Sequence, residues 1–268
     1  MTDMKEQILS FLPPEYPWKD RFFVFPELDS TNNRLKVLAS QGAPHGTVLI
    51  ADRQTGGRGR MGRSFLSPPG VGIYMSILLR PECAPQELMH LTCAVAAAMC
   101  RAVECAAGLR PGIKWTNDLV WGKQKFAGIL TEMGLNAAGG VDWAIVGIGV
   151  NCCQKTEDFS PEIRDRACSL AMAAGQEIDR CRVAAAMMEA LWEMDASLFT
   201  GKKDILRFYR ENCVTIGKEI SVVGAGEVRH GRALDVDDEG ALVVEFPDSH
   251  VEAVNAGEVS IRGMYGYI

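Results

Sequence analysis

The sequence has little of what marks a secreted, membrane-bound or disulfide-linked protein. Its nine cysteines are an odd number without a C-x-x-C pair, and the N-terminal MTDMKEQ lacks the basic, apolar and small-residue parts of a signal peptide. The most apolar run, from Cys93 to Cys100, is far shorter than the roughly 20 residues that a membrane span needs. These absences predict a protein of the reducing cytoplasm with no membrane association.

The sequence also lacks the motifs of common hydrolases and zinc enzymes. It contains no G-x-S-x-G or H-E-x-x-H segment, its four histidines are scattered, and the adjacent Cys152 and Cys153 match no zinc-ligand spacing. Basic residues are not in excess, because 28 lysines and arginines stand against 34 acidic residues in a chain of 268, a net charge of −6. The composition predicts an ordinary globular protein and does not favour nucleic acid as a partner.

Periodicity predicts alternating strands and helices up to about residue 212. Strands are expected at 22–28, 47–53 and 71–79 and in GIKWTND, KFAGILTEM and DWAIVGIGVN, and helices at 29–42, 85–108, 182–199 and 202–212. From Thr215 onward, turns separate the short runs EISVVG, EVRHGRALDV, ALVVEF and EVSIR, as in a small β-barrel. We therefore predict an α+β chain with an N-terminal extension at 1–20, a larger domain at 21–212 and a small β-domain at 213–268.

The stretch GGRGRMGRS, residues 56–64, partly fits a dinucleotide fingerprint, a P-loop and an arginine-glycine RNA segment. The first two require a helix directly after the loop, but Pro68, Pro69 and Gly70 follow instead. An RNA-binding segment would predict basic character elsewhere in the chain, which is absent.

The interpretation that remains is an anion clamp. Four arginines, Arg53, Arg58, Arg60 and Arg63, lie within eleven residues and would repel one another without a counter-anion. A solvated surface turn would explain the glycines but not this density of charge. Alone, the loop indicates only a phosphate or carboxylate ligand.

Five segments in order make the interpretation specific, since together they resemble the biotin protein ligases. They are DSTNNRLK (29–36), ADRQTGGRGRMGRSFLSP (51–68), GIYMSILLRP (72–81), KWTNDLVWGKQKFAGILTEM (114–133) and VGIGVN (146–151). The likeness runs from about Phe22 to the C-terminal GEVSIRG.

The resemblance implies a mixed β-sheet flanked by helices, akin to class II tRNA synthetases, followed by a small SH3-like β-barrel. It also implies an enzyme that joins biotin to the α-phosphate of ATP with Mg²⁺, releases pyrophosphate, and passes biotin to a lysine of a biotin carboxyl carrier protein. Only about twenty residues precede the first predicted strand, so we expect a ligase without a DNA-binding arm and no DNA partner. The family makes a homodimer plausible.

The resemblance assigns roles residue by residue. Chemistry is expected of Lys125, Arg60 and Asp118. Biotin binding is expected of twelve positions: Ser30, Thr31, Asn32, Gln54, Gly57, Arg58, Gly59, Arg60, Lys125, Gly128, Gly147 and Gly149. Nucleotide binding is expected of Arg58, Arg60, Arg63, Phe65, Asn117 and Asn151. No certain metal ligand is implied.

Several of these residues have an ordinary structural explanation as well. Ser30 and Thr31 could cap a helix, and glycines within strands could mark bulges or close strand packing. Two alternatives for the whole protein are a related lipoate ligase and a noncatalytic module that binds biotin, although GGRGR and FAGIL fit biotin better.

Two positions depart from the family pattern. Thr116 stands where the family usually has proline, which could loosen the turn that presents Asn117 and Asp118. Phe65 stands where a tryptophan is common, which keeps an aromatic surface but removes the indole donor.

Overall fold

A seven-stranded mixed sheet forms the larger part of the fold. The computed structural model describes residues 4–224, 227–255 and 260–263. The strands run in the order β1-β2-β3-β7-β6-β5-β4; β1 pairs with β2 in parallel, and every other pair is antiparallel. Their bounds are β1 (Phe22–Leu28), β2 (Thr47–Gln54), β3 (Gly72–Leu79), β4 (Gly112–Lys114), β5 (Asp118–Trp121), β6 (Gln124–Leu135) and β7 (Val141–Asn151).

Helices cover this sheet on both faces. They are α1 (Met4–Ser10), α2 (Thr31–Ser40), α3 (Leu91–Ala107), α4 (Leu170–Ala174), α5 (Arg180–Ser197) and α6 (Lys202–Asn212). Helix α2 packs on one face against β2, β3 and β7, whereas α3 lies on the other and packs against α5 and α6. This arrangement confirms the predicted mixed sheet flanked by helices.

Strand alternation determines which part of the sheet is left open. In β3, Ile73, Met75 and Ile77 face the main core around α3, because successive side chains of a strand point to opposite faces. Leu78, on the other face, packs under α2 with a second buried cluster of Leu35, Ala39, Leu49 and Ile145. Helix α2 covers only this end of the face, so the sheet beyond its N-terminus is available for a cavity.

Helix α3 is almost enclosed by the rest of the fold. The segment Pro85–Ala107 has 23 residues and is apolar enough to cross a membrane, but 72% of its most apolar window is buried inside the protein. A core helix of a soluble protein passes the same test, so this segment gives only weak support for a membrane span.

The C-terminal part forms a separate five-stranded antiparallel sheet. Its order is β11-β10-β9-β8-β12, with β8 (Glu219–Gly224), β9 (Glu227–Val236), β10 (Leu242–Glu245), β11 (Val251–Val254) and β12 (Ser260–Gly263). The boundary predicted near residue 213 falls between α6 and β8. Strand β11 was not predicted, because VEAV is too short to show a pattern, and part of the GEVSIRG segment lies outside the described residues.

The helix expected over 85–108 is in two parts. Pro85–Leu88 forms a short 3-10 turn, and α3 begins only at Leu91. His90 holds the junction, because its Nε2 lies 2.9 Å from the Leu198 carbonyl oxygen.

Two further segments also differ from the predictions. GIKWTND is not one strand: β4 and β5 are separated at residues 115–117, where the Trp115 amide donates to Thr215 Oγ1 at 2.9 Å instead of to a neighbouring strand. The predicted N-terminal extension packs into the main core, and the Tyr16 hydroxyl donates to the Met188 carbonyl at 2.9 Å.

The N-cap of α5 gives a stability test away from the cavity. The Asp179 carboxylate accepts from the amides of Cys181 at 2.8 Å and Arg182 at 3.2 Å. We expect Asp179→Ala to lower the free energy of unfolding by about 1 kcal/mol in urea titrations, because it leaves helix N–H groups without this acceptor. Glu177→Ala, which removes the same charge from an exposed position outside the cap, is the control; an equal loss in both variants would contradict the capping role.

Candidate functional site

A cavity of about 980 Å³ lies on the open face of the sheet. Its floor follows two rows of paired residues across the strands. In one row Gly149 of β7 pairs with Gly128 of β6, and Gly128 pairs with Asp118 of β5. In the other row Ser76 pairs with Gly147. The rows are two residues apart along β7, or roughly 7 Å, so the cavity has two distinct ends.

The floor glycines make room for side chains that come from elsewhere. A Cβ atom at Gly147 would overlap Asn32 Oδ1, and one at Gly149 would lie 2.6 Å from the Phe65 ring. A Cβ at Gly128 would lie 2.9 Å from Lys125 Nζ. Close packing therefore explains all three glycines here, and a ligand would share this space with the same side chains.

One end of the cavity is polar and uncharged, and it forms where α2 begins. Gln54 Oε1 accepts from the Thr31 amide at 2.8 Å and from the Thr31 hydroxyl at 3.1 Å, while Gln54 Nε2 donates to Ser67 Oγ at 3.1 Å. Ser30 is the N-cap residue of α2, and its hydroxyl accepts from the Asn33 amide. Ser30 and Thr31 thus serve the helix terminus and also line the cavity.

A buried network continues from this end to an acidic residue. Ser76 Oγ lies 2.6 Å from both Thr31 Oγ1 and Asn32 Oδ1. Asn32 Nδ2 donates to Glu132 Oε2 at 2.9 Å and to the Leu130 carbonyl at 3.4 Å. Glu132 thereby holds the amide of a cavity side chain.

Glu132 also has two cationic neighbours. Lys36 Nζ lies 2.6 Å and Arg58 Nη1 3.3 Å from Glu132 Oε1. Burial alone would raise the pKa of the Glu132 carboxyl, but hydrogen bonds from Lys36 and Asn32 and the charges of Lys36 and Arg58 outweigh it. The pKa therefore lies below its ordinary value.

The other end of the cavity contains a chain of charged and amide groups. Lys125 Nζ lies 2.6 Å from Asp118 Oδ1, which also accepts from Asn117 Nδ2 at 3.1 Å. Arg60 Nη1 in turn donates to Asn117 Oδ1 at 2.8 Å. Burial lowers the pKa of the Arg60 guanidinium and the charge of Asp118 opposes this shift. An arginine remains charged at neutral pH, so two cations are held beside one carboxylate.

Two local features position this end. The pairing of β5 with β6 shifts register between Leu119 and Val120, and such a bulge re-aims side chains, which brings Lys125 over Gly128. The turn before Asp118 is held from outside the sheet, because the buried Tyr209 hydroxyl of α6 donates to the Thr116 carbonyl at 3.1 Å.

The glycine-arginine loop is a small hairpin over the cavity. The Phe65 amide donates to the Gly57 carbonyl at 2.9 Å, and the Gly59 amide donates to the Arg63 carbonyl at 2.7 Å. One part of the clamp prediction is wrong: Arg53 pairs with Glu27 at 3.0 Å on an exposed part of the sheet and does not line the cavity.

The structure brings sixteen of the seventeen predicted site residues to this cavity, and Gly57 is the exception. A Cβ at Gly57 would meet the Phe65 carbonyl, so this glycine allows the hairpin to close. The lining residues are Ser30, Thr31, Asn32, Gln54, Arg58, Gly59, Arg60, Arg63, Phe65, Asn117, Asp118, Lys125, Gly128, Gly147, Gly149 and Asn151. Their individual binding roles stay predictions.

The lining is strongly cationic although the whole chain is acidic. Seven lysines and arginines line the cavity against three aspartates: Arg58, Arg60, Arg63, Lys114, Lys123, Lys125 and Arg166, with Asp118, Asp158 and Asp165. Within the described part of the chain, no three or more histidine, cysteine, aspartate or glutamate residues form a group that could hold a metal ion. The cavity is therefore suited to a ligand with a neutral polar group at one end and a negative charge at the other.

Comparison with known proteins identifies the family. Residues 24–151 match the Biotin/lipoate A/B protein ligase family, and residues 215–262 match the Biotin protein ligase C terminal domain. The Biotin--[acetyl-CoA-carboxylase] ligase of Mycobacterium tuberculosis (strain ATCC 25618 / H37Rv) is 31% identical over 242 residues, which cover 88% of this chain and 87% of that protein. The chain belongs to the biotin protein ligase family.

Other members support the same assignment. The bifunctional ligase/repressor BirA of Bacillus subtilis (strain 168) is 38% identical over 219 residues, covering 81% of this chain and 67% of that protein. The biotin protein ligase from Aquifex aeolicus in complex with biotin and ATP superposes with a TM-score of 0.75 at 29% identity, covering 90% of this chain and 98% of that chain. The sheet, the C-terminal domain and their order are thus those of biotin protein ligases, as the sequence predicted.

Sequence reasoning on this ligase missed several residues of the site. Lys114 is a buried cation in the lining. Arg166 also lines the cavity, and its backbone carbonyl accepts from the Lys125 amide at 2.8 Å. Ser76 and Glu132 complete the network below Asn32. A signal for Lys114 and Glu132 was present, since both lie within the segment KWTNDLVWGKQKFAGILTEM, but nothing in the sequence shows which of its charges turn inward.

The lowered pKa of Glu132 predicts a pH-dependent contribution to stability. Its charged form is favoured in the folded state, so the contribution is present above the ordinary value of 4.5 and disappears as the pH falls through the lower folded pKa. We expect Glu132→Gln to lower the free energy of unfolding by roughly 1 to 3 kcal/mol at pH 7. At a pH below the folded pKa of Glu132, the variant and the wild type should have the same free energy of unfolding.

Urea titrations at several pH values measure this difference. Glu27→Gln, which removes an exposed pair with Arg53, is the control and should change stability by less than about 0.5 kcal/mol. A Glu132→Gln deficit that stays constant, or grows, as the pH falls below 4.5 would contradict the assignment.

Proposed function

We propose that this protein activates biotin with ATP and transfers it to a lysine of a biotin carboxyl carrier protein. The observation that supports this most directly is the cavity itself, which connects an uncharged polar end at Gln54 and Thr31 to a cationic end at Lys125 and Arg60. Biotin has a matching form, with a neutral cyclic urea at one end and a carboxylate at the other. A related structure, that of the Aquifex aeolicus ligase, is in complex with biotin and ATP.

The chemistry requires charge neutralisation at the cationic end. A carboxylate oxygen of biotin attacks the α-phosphorus of ATP, the bond to pyrophosphate breaks, and a biotinyl-adenylate forms. The lysine amine of the carrier then attacks the carbonyl carbon, and AMP leaves with the bridging oxygen while the amine loses a proton. In the first step two anions approach, so fixed cations lower the barrier, and losing one such contact typically costs about 3 kcal/mol or more.

Lys125 is the cation that we assign to this step. Its ammonium is held by Asp118 at 2.6 Å beside Gly128, where the backbone of the sheet is open to the cavity. In this assignment Lys125 contacts the biotin carboxylate and the α-phosphate, and Asp118 fixes its position. Arg58, Arg60 and Arg63 neutralise the phosphates from the hairpin loop.

The remaining side chains suit the two partners of the reaction. Gln54, Ser30, Thr31 and Asn32 offer hydrogen-bonding groups to the urea, and the floor glycines allow the ring to approach the sheet. Phe65 has an aromatic face for the nucleotide, and Asn117 and Asn151 offer amides to it.

Magnesium suits the oxygen donors of this cavity. Asp118 and Asn117 are the side chains that would hold it, with its other ligands from phosphates and water, because Mg²⁺ keeps several waters and rarely has an all-protein cage. When bound, the ion would neutralise charge on the phosphates of ATP. The cytoplasmic location, the possible homodimer and the absence of a DNA partner stay predictions.

The first test is direct. Purified protein with ATP, Mg²⁺ and biotin should release pyrophosphate and label a biotin carrier domain, and removal of Mg²⁺ by a chelator should stop both. Lipoate is offered in parallel with a lipoate carrier domain. If lipoate is the only acid accepted, the substrate is wrong, and if biotin binds without pyrophosphate release, the noncatalytic alternative is correct.

The contribution of Lys125 can be distinguished from that of Lys123, its neighbour on the same hairpin. We expect Lys125→Ala to lower the rate of pyrophosphate release by roughly a hundredfold or more at saturating substrates, because it removes a preorganised cation from the reacting anions. Lys123→Ala removes an equal charge from the exposed turn and should lower the rate by less than about tenfold. Equal losses would show that only the net charge of the cavity matters.

Arg60 has a different expected role, which is to retain the adenylate. Arg60 reaches across the cavity to Asn117, so its removal should release the loop and let the reactive intermediate escape. We expect Arg60→Gly to form adenylate but to label a bystander protein that lacks the carrier fold, as measured by blotting for biotin. Arg53→Gly, outside the cavity, is the control. Equal bystander labelling by wild type and Arg60→Gly would contradict this role, and failure to form adenylate would place Arg60 in the first step.

A further inference from the structure

We propose that Glu132 is a specificity-determining positioning residue: it orients the Asn32 amide so that this end of the cavity accepts only acids whose ring brings an N–H donor. The inference rests on the proposed function, because it concerns the recognition of the biotin ring. Glu132 itself does not line the cavity and acts through Asn32.

The orientation of the Asn32 amide follows from its contacts. Both hydrogens of an amide nitrogen are available to acceptors, and here the Glu132 carboxylate and the Leu130 carbonyl lie 2.9 and 3.4 Å from Nδ2. A carboxylate has no proton to donate, so Glu132 cannot pair with an inverted amide. Asn32 therefore turns its acceptor Oδ1 toward Ser76 and the Gly147 floor.

The hydroxyl protons of this network leave one acceptor position open to a ligand. Ser76 has one hydroxyl proton but lies 2.6 Å from two oxygens, Thr31 Oγ1 and Asn32 Oδ1. Because Gln54 Oε1 already accepts the Thr31 amide, the Thr31 hydroxyl can donate to Ser76 Oγ, and Ser76 then donates its own proton to Asn32 Oδ1. Asn32 Oδ1 thus has one donor within the protein and, as an amide oxygen with two lone pairs, keeps one acceptor position for a ligand.

A ligand N–H is the group that fits this open acceptor position. The cyclic urea of biotin carries two such donors, whereas the dithiolane ring of lipoate carries none. A site built to hydrogen-bond a ligand N–H rejects analogues that lack it, because its buried polar groups are left unpaired. If the charge of Glu132 is removed, the Asn32 amide can invert and supply its own proton to Ser76, so the requirement for the ligand donor is relaxed.

The test uses two carbamate analogues of biotin, each with one ring N–H replaced by oxygen. Calorimetric titration of the full chain without ATP measures the Kd of biotin and of each analogue. For the wild type, we expect at least one analogue to bind roughly tenfold or more weakly than biotin. In Glu132→Gln, that ratio should fall below about threefold, mainly because binding of biotin weakens.

Two further variants test whether the effect depends on the contact between Glu132 and Asn32. Lys36→Met removes the strongest ionic partner of Glu132 but leaves its bond to Asn32, and the ratio should stay within about twofold of the wild type. Ser76→Ala removes the protein's donor to Asn32 Oδ1, so the dependence on the ligand donor, and hence the ratio, should increase. This variant also tests the proposal if Glu132→Gln does not fold.

The results separate this inference from the proposed function. Unchanged discrimination in Glu132→Gln, or a smaller ratio in Ser76→Ala, would overturn the role of Glu132. Binding that follows the expected pattern without pyrophosphate release would support the inference and refute the ligase activity. If biotin does not bind at all, both fail.

Discussion

The pairing of β6 with β7 sets Gly128 directly opposite Gly149, and the rest of the site depends on this stretch of sheet without side chains. Because the space above it is free, Lys125 can lie over Gly128 and Phe65 can lie over Gly149. Gly147, two residues along the same strand, leaves the corresponding space for Asn32. Groups from the loop, the helix terminus and the hairpin therefore meet on one surface, with the sheet backbone as their common support.

Three cations at this surface, Lys125, Arg58 and Arg60, already have polar partners before any ligand arrives. Asp118 faces Lys125, and Glu132 faces Arg58, so the cost of gathering positive charge is offset within the protein. These contacts also preorganise the cavity, since side chains held in place need little further ordering when a substrate binds. A phosphate or carboxylate entering the cavity joins an existing arrangement of charges.

Much of this could be predicted from the sequence, and the reason differs from element to element. The strands and α2 have strong periodicity and clear boundaries such as Ser30, and the arginine-rich loop could be interpreted because four like charges in eleven residues require an explanation. The direction in which each side chain points was harder to predict from the sequence. Arg53 lies in the same charge cluster as Arg60 but pairs with Glu27 of the edge strand β1 and does not line the cavity.

Contacts between distant parts of the chain were beyond sequence reasoning. The turn before Asp118 is held by Tyr209 and Thr215, about a hundred residues further along the chain, and no local pattern indicates this pairing. The turn that carries Thr116 is buried and hydrogen-bonded although it has no proline. The role of Glu132 could not be predicted for the same reason, because its partners Asn32 and Lys36 lie about a hundred residues earlier.

In the proposed reaction, the carboxylate of biotin meets the α-phosphate of ATP at the cationic end of this cavity. Isotope transfer tests it most directly. Biotin with both carboxylate oxygens replaced by oxygen-18 is incubated with ATP, Mg²⁺ and the carrier domain, and the AMP is analysed by mass spectrometry. We predict AMP with one heavy oxygen and a biotinyl amide that keeps the other. AMP without heavy oxygen, or heavy oxygen in the pyrophosphate, would contradict it.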